Sequence, residues 1–108
     1  MNFSELLEKV KKLRLNEVRK DQPDYLECVV PVAVLPELSI LLGNYFGPPL
    51  KTAGQSANKE HQKITSPYGG IEKNQTLFQT GQNGKSELAM LWPWGGGASV
   101  TLKIAQCP

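Results

Sequence analysis

Histidine occurs once in this 108-residue chain, at position 61, and cysteine twice, at positions 28 and 107. A nucleophilic triad draws on an imidazole, and a zinc site draws on several His or Cys ligands at defined spacing. His61 has only Glu60 and Gln62 beside it in a polar stretch, and no Cys-x-x-Cys pair occurs. The expectation is an exposed histidine, with no metal site, no cofactor and no catalytic set. Two cysteines are too few for a disulfide framework, so free thiols in a reducing compartment are expected. Cys28 lies within Leu26-Glu27-Cys28-Val29-Val30, where a thiol behaves as a small buried apolar group.

Long apolar runs are missing too. None reaches the roughly 18 residues that a membrane span needs, and Met1-Asn2-Phe3-Ser4-Glu5 lacks the basic-then-apolar profile of a secretory signal. A cytoplasmic protein that avoids membranes is the reading. Charge of one sign is scarce, with a net of +2, but it is unevenly placed. Residues 1–20 hold six bases and three acids, and the remaining residues hold six bases and seven acids. The excess at one end is either the solvated face of a first helix or a weak footprint for an acidic partner.

What is present is a soluble-type composition, 40% apolar and 20% charged, in a length that suits one domain spanning 1–108. Asn2-Phe3-Ser4-Glu5 has the pattern of a capping box, and Phe3, Leu6, Leu7, Val10 and Leu13 recur at helical spacing. This predicts a helix over about 3–14. Residues 15–20 could extend this helix or begin a strand, since neither period wins over so few residues. Asp21-Gln22-Pro23-Asp24 reads as a turn, and Tyr25–Val32 as a strand buried on both faces that ends near Pro31.

Pro36 suits the first turn of a second helix, and Gly47-Pro48-Pro49 ends it. Only Glu37, Ser39 and Asn44 are clearly polar between them, which predicts burial on most sides. Gln75–Thr80, Ser86–Trp92 and Val100–Ile104 read as a three-strand meander, with Asn83-Gly84 in the first turn and Gly95-Gly96-Gly97 in the second. The glycine run has no Gly-Lys-Ser/Thr and a strand pattern follows it, so a hairpin connection is expected rather than a phosphate loop. The fold class is α+β, a small antiparallel sheet of about four strands covered by two helices, in the order helix, strand, helix, long loop, three strands.

The segment 47–75 stands apart, because apolar periodicity lapses for its whole length. A long irregular connection in a small domain is commonly functional or mobile. The two apolar blocks on either side are expected to close on each other and leave this segment outside. Lys51–Ser66 reads as disorder or a short exposed helix, and Ser66-Pro67-Tyr68-Gly69-Gly70-Ile71 as a defined bend. Trp92 and Trp94, two apart on a strand, give a large amphipathic surface of the kind that holds a partner, or else complete the core and its rim.

The function these residues point to is a non-catalytic module that binds a protein partner or associates with itself, through Tyr68, Gly69, Gly70, Trp92 and Trp94. An alternative is nucleic-acid or anion binding through Lys9, Lys11, Lys12 and Arg14 on the first helix. A third is an enzyme or small-ligand carrier with a pocket under 47–75. Lys85 and Lys103 are the only bases flanking the tryptophan hairpin in the sequence, thin support for nucleic acid there.

Overall fold

The computed structural model describes residues 1–82 and 85–107, and the Asn83-Gly84 turn lies outside them. Its centre is one antiparallel sheet of five strands: β1 (Glu17–Gln22), β2 (Tyr25–Pro31), β3 (Thr76–Gln82), β4 (Lys85–Pro93) and β5 (Ser99–Gln106). Their spatial order is β1-β2-β5-β4-β3. The join between the two halves of the chain is the β2–β5 pairing, from Tyr25 opposite Ala105 to Pro31 opposite Ser99. Three helices accompany the sheet: α1 (Phe3–Lys11), α2 (Leu35–Phe46) and α3 (Lys59–Thr65). The class is α+β, with one strand and one helix more than the sequence pattern suggests.

α1 starts where the capping residues put it. The Asn2 side chain accepts from the Glu5 N–H at 2.9 Å, and Glu5 accepts from the Asn2 N–H at 3.3 Å. The helix stops at Lys11, short of residue 14, because Leu13 and Leu15 both pack against the core. Residues two apart share a side only in extended chain, so burying both leucines requires leaving the helix. The extra strand, β1, follows directly. Every one of its residues is exposed, which is why it leaves no apolar period to read. β2 ends at Pro31, and Cys28, Val29 and Val30 are buried in succession, as a strand covered on both faces requires.

Each face of the sheet carries its own core. On the first, Leu26, Cys28, Val30, Phe78, Ala89, Leu102 and Ile104 meet Phe3, Leu6, Leu7 and Val10 of α1 and Leu38, Leu42 and Phe46 of α2. α2 is buried along that stripe alone: Ile40 is 66% exposed. Its apolar outer residues mark an open surface rather than a second packing layer. Gly47 ends α2 at a φ of +80°, which glycine reaches without strain.

On the second face, Leu77, Leu88, Met90 and Ala105 are covered by Ile71, Ala57, Ile64 and Tyr68, all from 47–75. The segment expected outside the two apolar blocks is therefore the third layer of the protein. Few apolar residues suffice, because side-chain to backbone bonds do much of the tethering. Lys51 pairs with Leu77 as an isolated bridge. Its fully buried ammonium donates to the carbonyls of Thr52 (3.1 Å), Lys73 (3.0 Å) and Gln75 (2.6 Å). Gln62 donates to the Ile71 carbonyl and accepts from the Ile71 N–H. His61 is buried, not exposed: its Nδ1 accepts from the Asn58 N–H at 3.2 Å, closing a capping box at the start of α3. No helix among the described residues is long and apolar enough to cross a membrane.

Candidate functional site

The third layer covers only part of the second face. Where it stops, the short 3-10 helix Ser66–Tyr68 borders a groove of about 450 Å³ over β1, β2 and β5. Its sides include Lys20, Gln22, Tyr25, Glu27, Tyr68 and Lys103.

A bulge in β1 supplies two of the cations. In the β1–β2 register Val18 faces Cys28 and Lys20 faces Glu27, so Arg19 has no partner across the ladder. Arg19 and Lys20 consequently both reach aromatic rings of the second face. The Arg19 guanidinium carbon lies 5.7 Å from the centre of the Trp94 ring, and Lys20 Nζ lies 5.9 Å from that of Tyr25. Lys103, from β5, sits 3.6 Å over Trp92. Three cation–aromatic pairs thus stand on one face, within the range where the ring quadrupole attracts a cation.

The aromatic side of the groove is held by a ring stack and hydrogen bonds. Tyr25 and Tyr68 stack with ring centres 5.8 Å apart. Tyr25 donates to Glu27 Oε1 at 2.6 Å, and burial followed by that carboxylate pushes its phenol well above the ordinary range. Tyr68 donates to Cys107 Sγ at 3.6 Å, and burial pushes its phenol up to about 12. The main chain of the turn is held as well, since Lys103 donates to the Tyr68 carbonyl at 2.8 Å. Burial lowers the Lys103 ammonium pKa; nearby Glu27 opposes the shift, while Lys20 and Arg19 add to it.

Of the residues singled out in the sequence, Tyr68 and Gly69 line this groove. Gly70 does not: its N–H is bonded to the Thr65 carbonyl. Trp92 is half-buried beneath Gly69 and Lys103, and its indole Nε1 has no hydrogen-bond partner among the described residues. Trp94 is 44% exposed and donates to Thr101 Oγ1 at 2.8 Å. The basic residues expected on the first helix lie apart from all of these, at the opposite face of the sheet: Lys9 and Lys11 are on α1, while Lys12 is its cap and Arg14 lies beyond its end. Lys9, Lys12 and Arg14 are exposed, whereas Lys11 is held by Glu8 at 3.0 Å and Asp21 at 3.2 Å.

Sequence reasoning missed Arg19, Lys20, Tyr25 and Glu27. The available signal was the alternation of Tyr25 and Glu27 with the buried Leu26 and Cys28, which puts both on the second face. Nothing in the sequence announces the bulge.

A second hollow, about 580 Å³, lies between α2 and Pro48-Pro49, bordered by Gly43, Phe78 and Leu91. No charged side chain lines it, so it offers little to orient a ligand. Among the described residues no group of three His, Cys, Asp or Glu side chains is placed to hold a metal. No protein-family model matches the chain, and comparison with curated proteins and with solved structures finds no match either.

Proposed function

We propose that this protein is a non-catalytic binding module that holds a protein partner on the open part of the second sheet face. The observation that carries this reading is the gathering of Arg19–Trp94, Lys20–Tyr25 and Lys103–Trp92 beside the Tyr25–Tyr68 stack. Tryptophan, tyrosine and arginine are the residue types that dominate binding energy in protein interfaces. The stacked, hydrogen-bonded setting lowers the entropy lost when a partner arrives.

Charge balance favours a protein over a polyanion. Glu17, Asp24 and Glu27 accompany the three cations, and Arg19 is paired with Glu17 at 3.1 Å. The free edge of β1 is a poor place for a partner strand, because it is charged along its length and broken by the bulge. This argues for contact through the face rather than the edge. The rival reading through the first helix is weakened by Lys11, whose charge is already met by Glu8 and Asp21.

The test is retention of a partner by the immobilised full chain at micromolar concentration, with light scattering to detect self-association. The Arg19→Ala/Trp94→Ala variant, altered only at exposed side chains, should lose the partner. A Lys9→Glu/Lys12→Glu/Arg14→Glu variant should keep it. A protein that stays monomeric and retains nothing, or retention indifferent to the face variant, would refute the reading.

A further inference from the structure

The groove carries a more specific demand than the face as a whole. Arg19 has Glu17, and Glu27 already accepts from the Tyr25 hydroxyl. Among the described residues, neither Lys20 nor Lys103 belongs to an ion pair, although both line the groove. Lys103 is half-buried and fixed against Trp92 and the Tyr68 carbonyl, with Lys20 and the Glu17-paired Arg19 in its neighbourhood and Glu27 opposing them. An ammonium so placed gains from any anion that enters, because the wall beside it is ring and backbone rather than water.

We propose that the groove receives a carboxylate side chain from an acidic segment of the partner protein, with an aromatic or apolar neighbour of that residue seated on the Tyr25–Tyr68 stack. This assignment rests on the binding reading above. Lys20 and Lys103 supply the charge. Gln22, also on the groove, supplies an amide that can pair with the peptide links between side chains. Asp24 and Glu27 select against a nucleic acid, in which every successive unit is charged and some phosphates would face these carboxylates. A peptide can space its acids to miss them.

The probe is a fluorescein-labelled random copolymer of glutamate and tyrosine, followed by anisotropy with the full-length protein. Its counterparts are a lysine–tyrosine copolymer and an oligothymidylate of similar length. The glutamate–tyrosine copolymer should bind in the micromolar range and weaken as salt rises. Lys20→Met and Lys103→Met should each weaken it about tenfold, and Lys20→Glu more. Lys20 is exposed on an edge strand, so its variants keep the Lys103–Tyr68 bond and the fold even if Lys103→Met disturbs the turn.

The proposal is overturned if the acidic copolymer fails to bind, if Lys20→Glu binds it as well as wild type does, or if the oligothymidylate or the lysine–tyrosine copolymer binds more tightly. Any of these outcomes, together with partner capture that still depends on Arg19 and Trp94, sinks the acidic-segment assignment alone. Loss of that dependence sinks the binding reading as well.

Discussion

A methyl group at the Cβ position of Gly69 would sit 2.6 Å from Cη2 of Trp92, and φ at Gly69 is +104°. The turn bordering the groove is therefore glycine for two independent reasons, one of conformation and one of space. Gly54 offers the comparison, with a φ of +94° and nothing within 4 Å of its Cβ position. Gly54→Ala should cost about 1 kcal/mol of stability, the strain of a left-handed backbone alone. Gly69→Ala should cost more, on the order of 3 kcal/mol, and shift the tryptophan emission as the Trp92 ring is displaced. Urea unfolding of both variants checks this; equal costs would mean that the contact with Trp92 is unimportant.

Lys51 is the clasp of the third layer. Its ammonium joins the carbonyls of Thr52, Lys73 and Gln75, so one side chain ties the start of the 47–75 segment to its end. Lys51→Met keeps the apolar stem and removes the donors: the Thr52 and Lys73 carbonyls retain the Gln55 and Gly54 N–H groups, while the Gln75 carbonyl loses its 2.6 Å bond. The expected loss is on the order of 3 kcal/mol. Amide exchange should quicken in residues 52–75 before it changes in β2 and β5, because those strands are held by pairing that Lys51 does not touch. Uniform acceleration across the sheet would contradict the clasp.

Where the sequence has a strong period or a hard stop, it reads correctly. The start of α1 is written in Asn2 and Glu5, the end of β2 in Pro31, and the limits of α2 in Pro36 and Gly47. The failures have physical causes. β1 is exposed along its whole length, so no apolar alternation reports it. α3 has seven residues, and its buried positions are His61 and Thr65, types that periodicity arguments pass over. The burial of Lys51 was illegible because a lysine is rarely enclosed without a counter-charge. Half of the site was visible as Tyr68, Gly69 and the tryptophans. The other half depends on a bulge in β1 and on β2 pairing with β5 far along the chain, and neither is a local property.

The two thiols should separate cleanly by reactivity. Cys28 is fully buried, and burial pushes its thiol up to about 12, so little thiolate exists near neutrality. Cys107 is only partly covered and accepts from Tyr68. An aromatic disulfide reagent at about pH 8 should modify one thiol per native chain, Cys107, and the second only on unfolding. Fast modification of both in the native protein would show that the first core opens readily.

Alkaline pH should unfold the protein, and Cys28 sets where the loss begins. Its thiol titrates near 9.0 in an unfolded chain and at about 12 in the fold. Between those values the unfolded state holds fewer protons than the folded state, so stability falls as pH rises. Tyr68 acts in the same sense between 10.0 and about 12, and Tyr25 and Tyr45 also have raised phenols. Lys51 and Lys103 act in the opposite sense. Burial holds both below the ordinary 10.5, so their contribution grows as pH climbs toward that value. The thiol is isolated by comparing wild type with Cys28→Ala, in which the lysines and tyrosines are unchanged. The variant should be less stable at about pH 8 because of the cavity it leaves. That deficit should shrink by about 1 kcal/mol by about pH 10, where the wild type alone bears the cost of keeping a buried thiol protonated. A deficit that stays constant over this interval would mean that the Cys28 site admits water and its thiol titrates as it does in the unfolded chain.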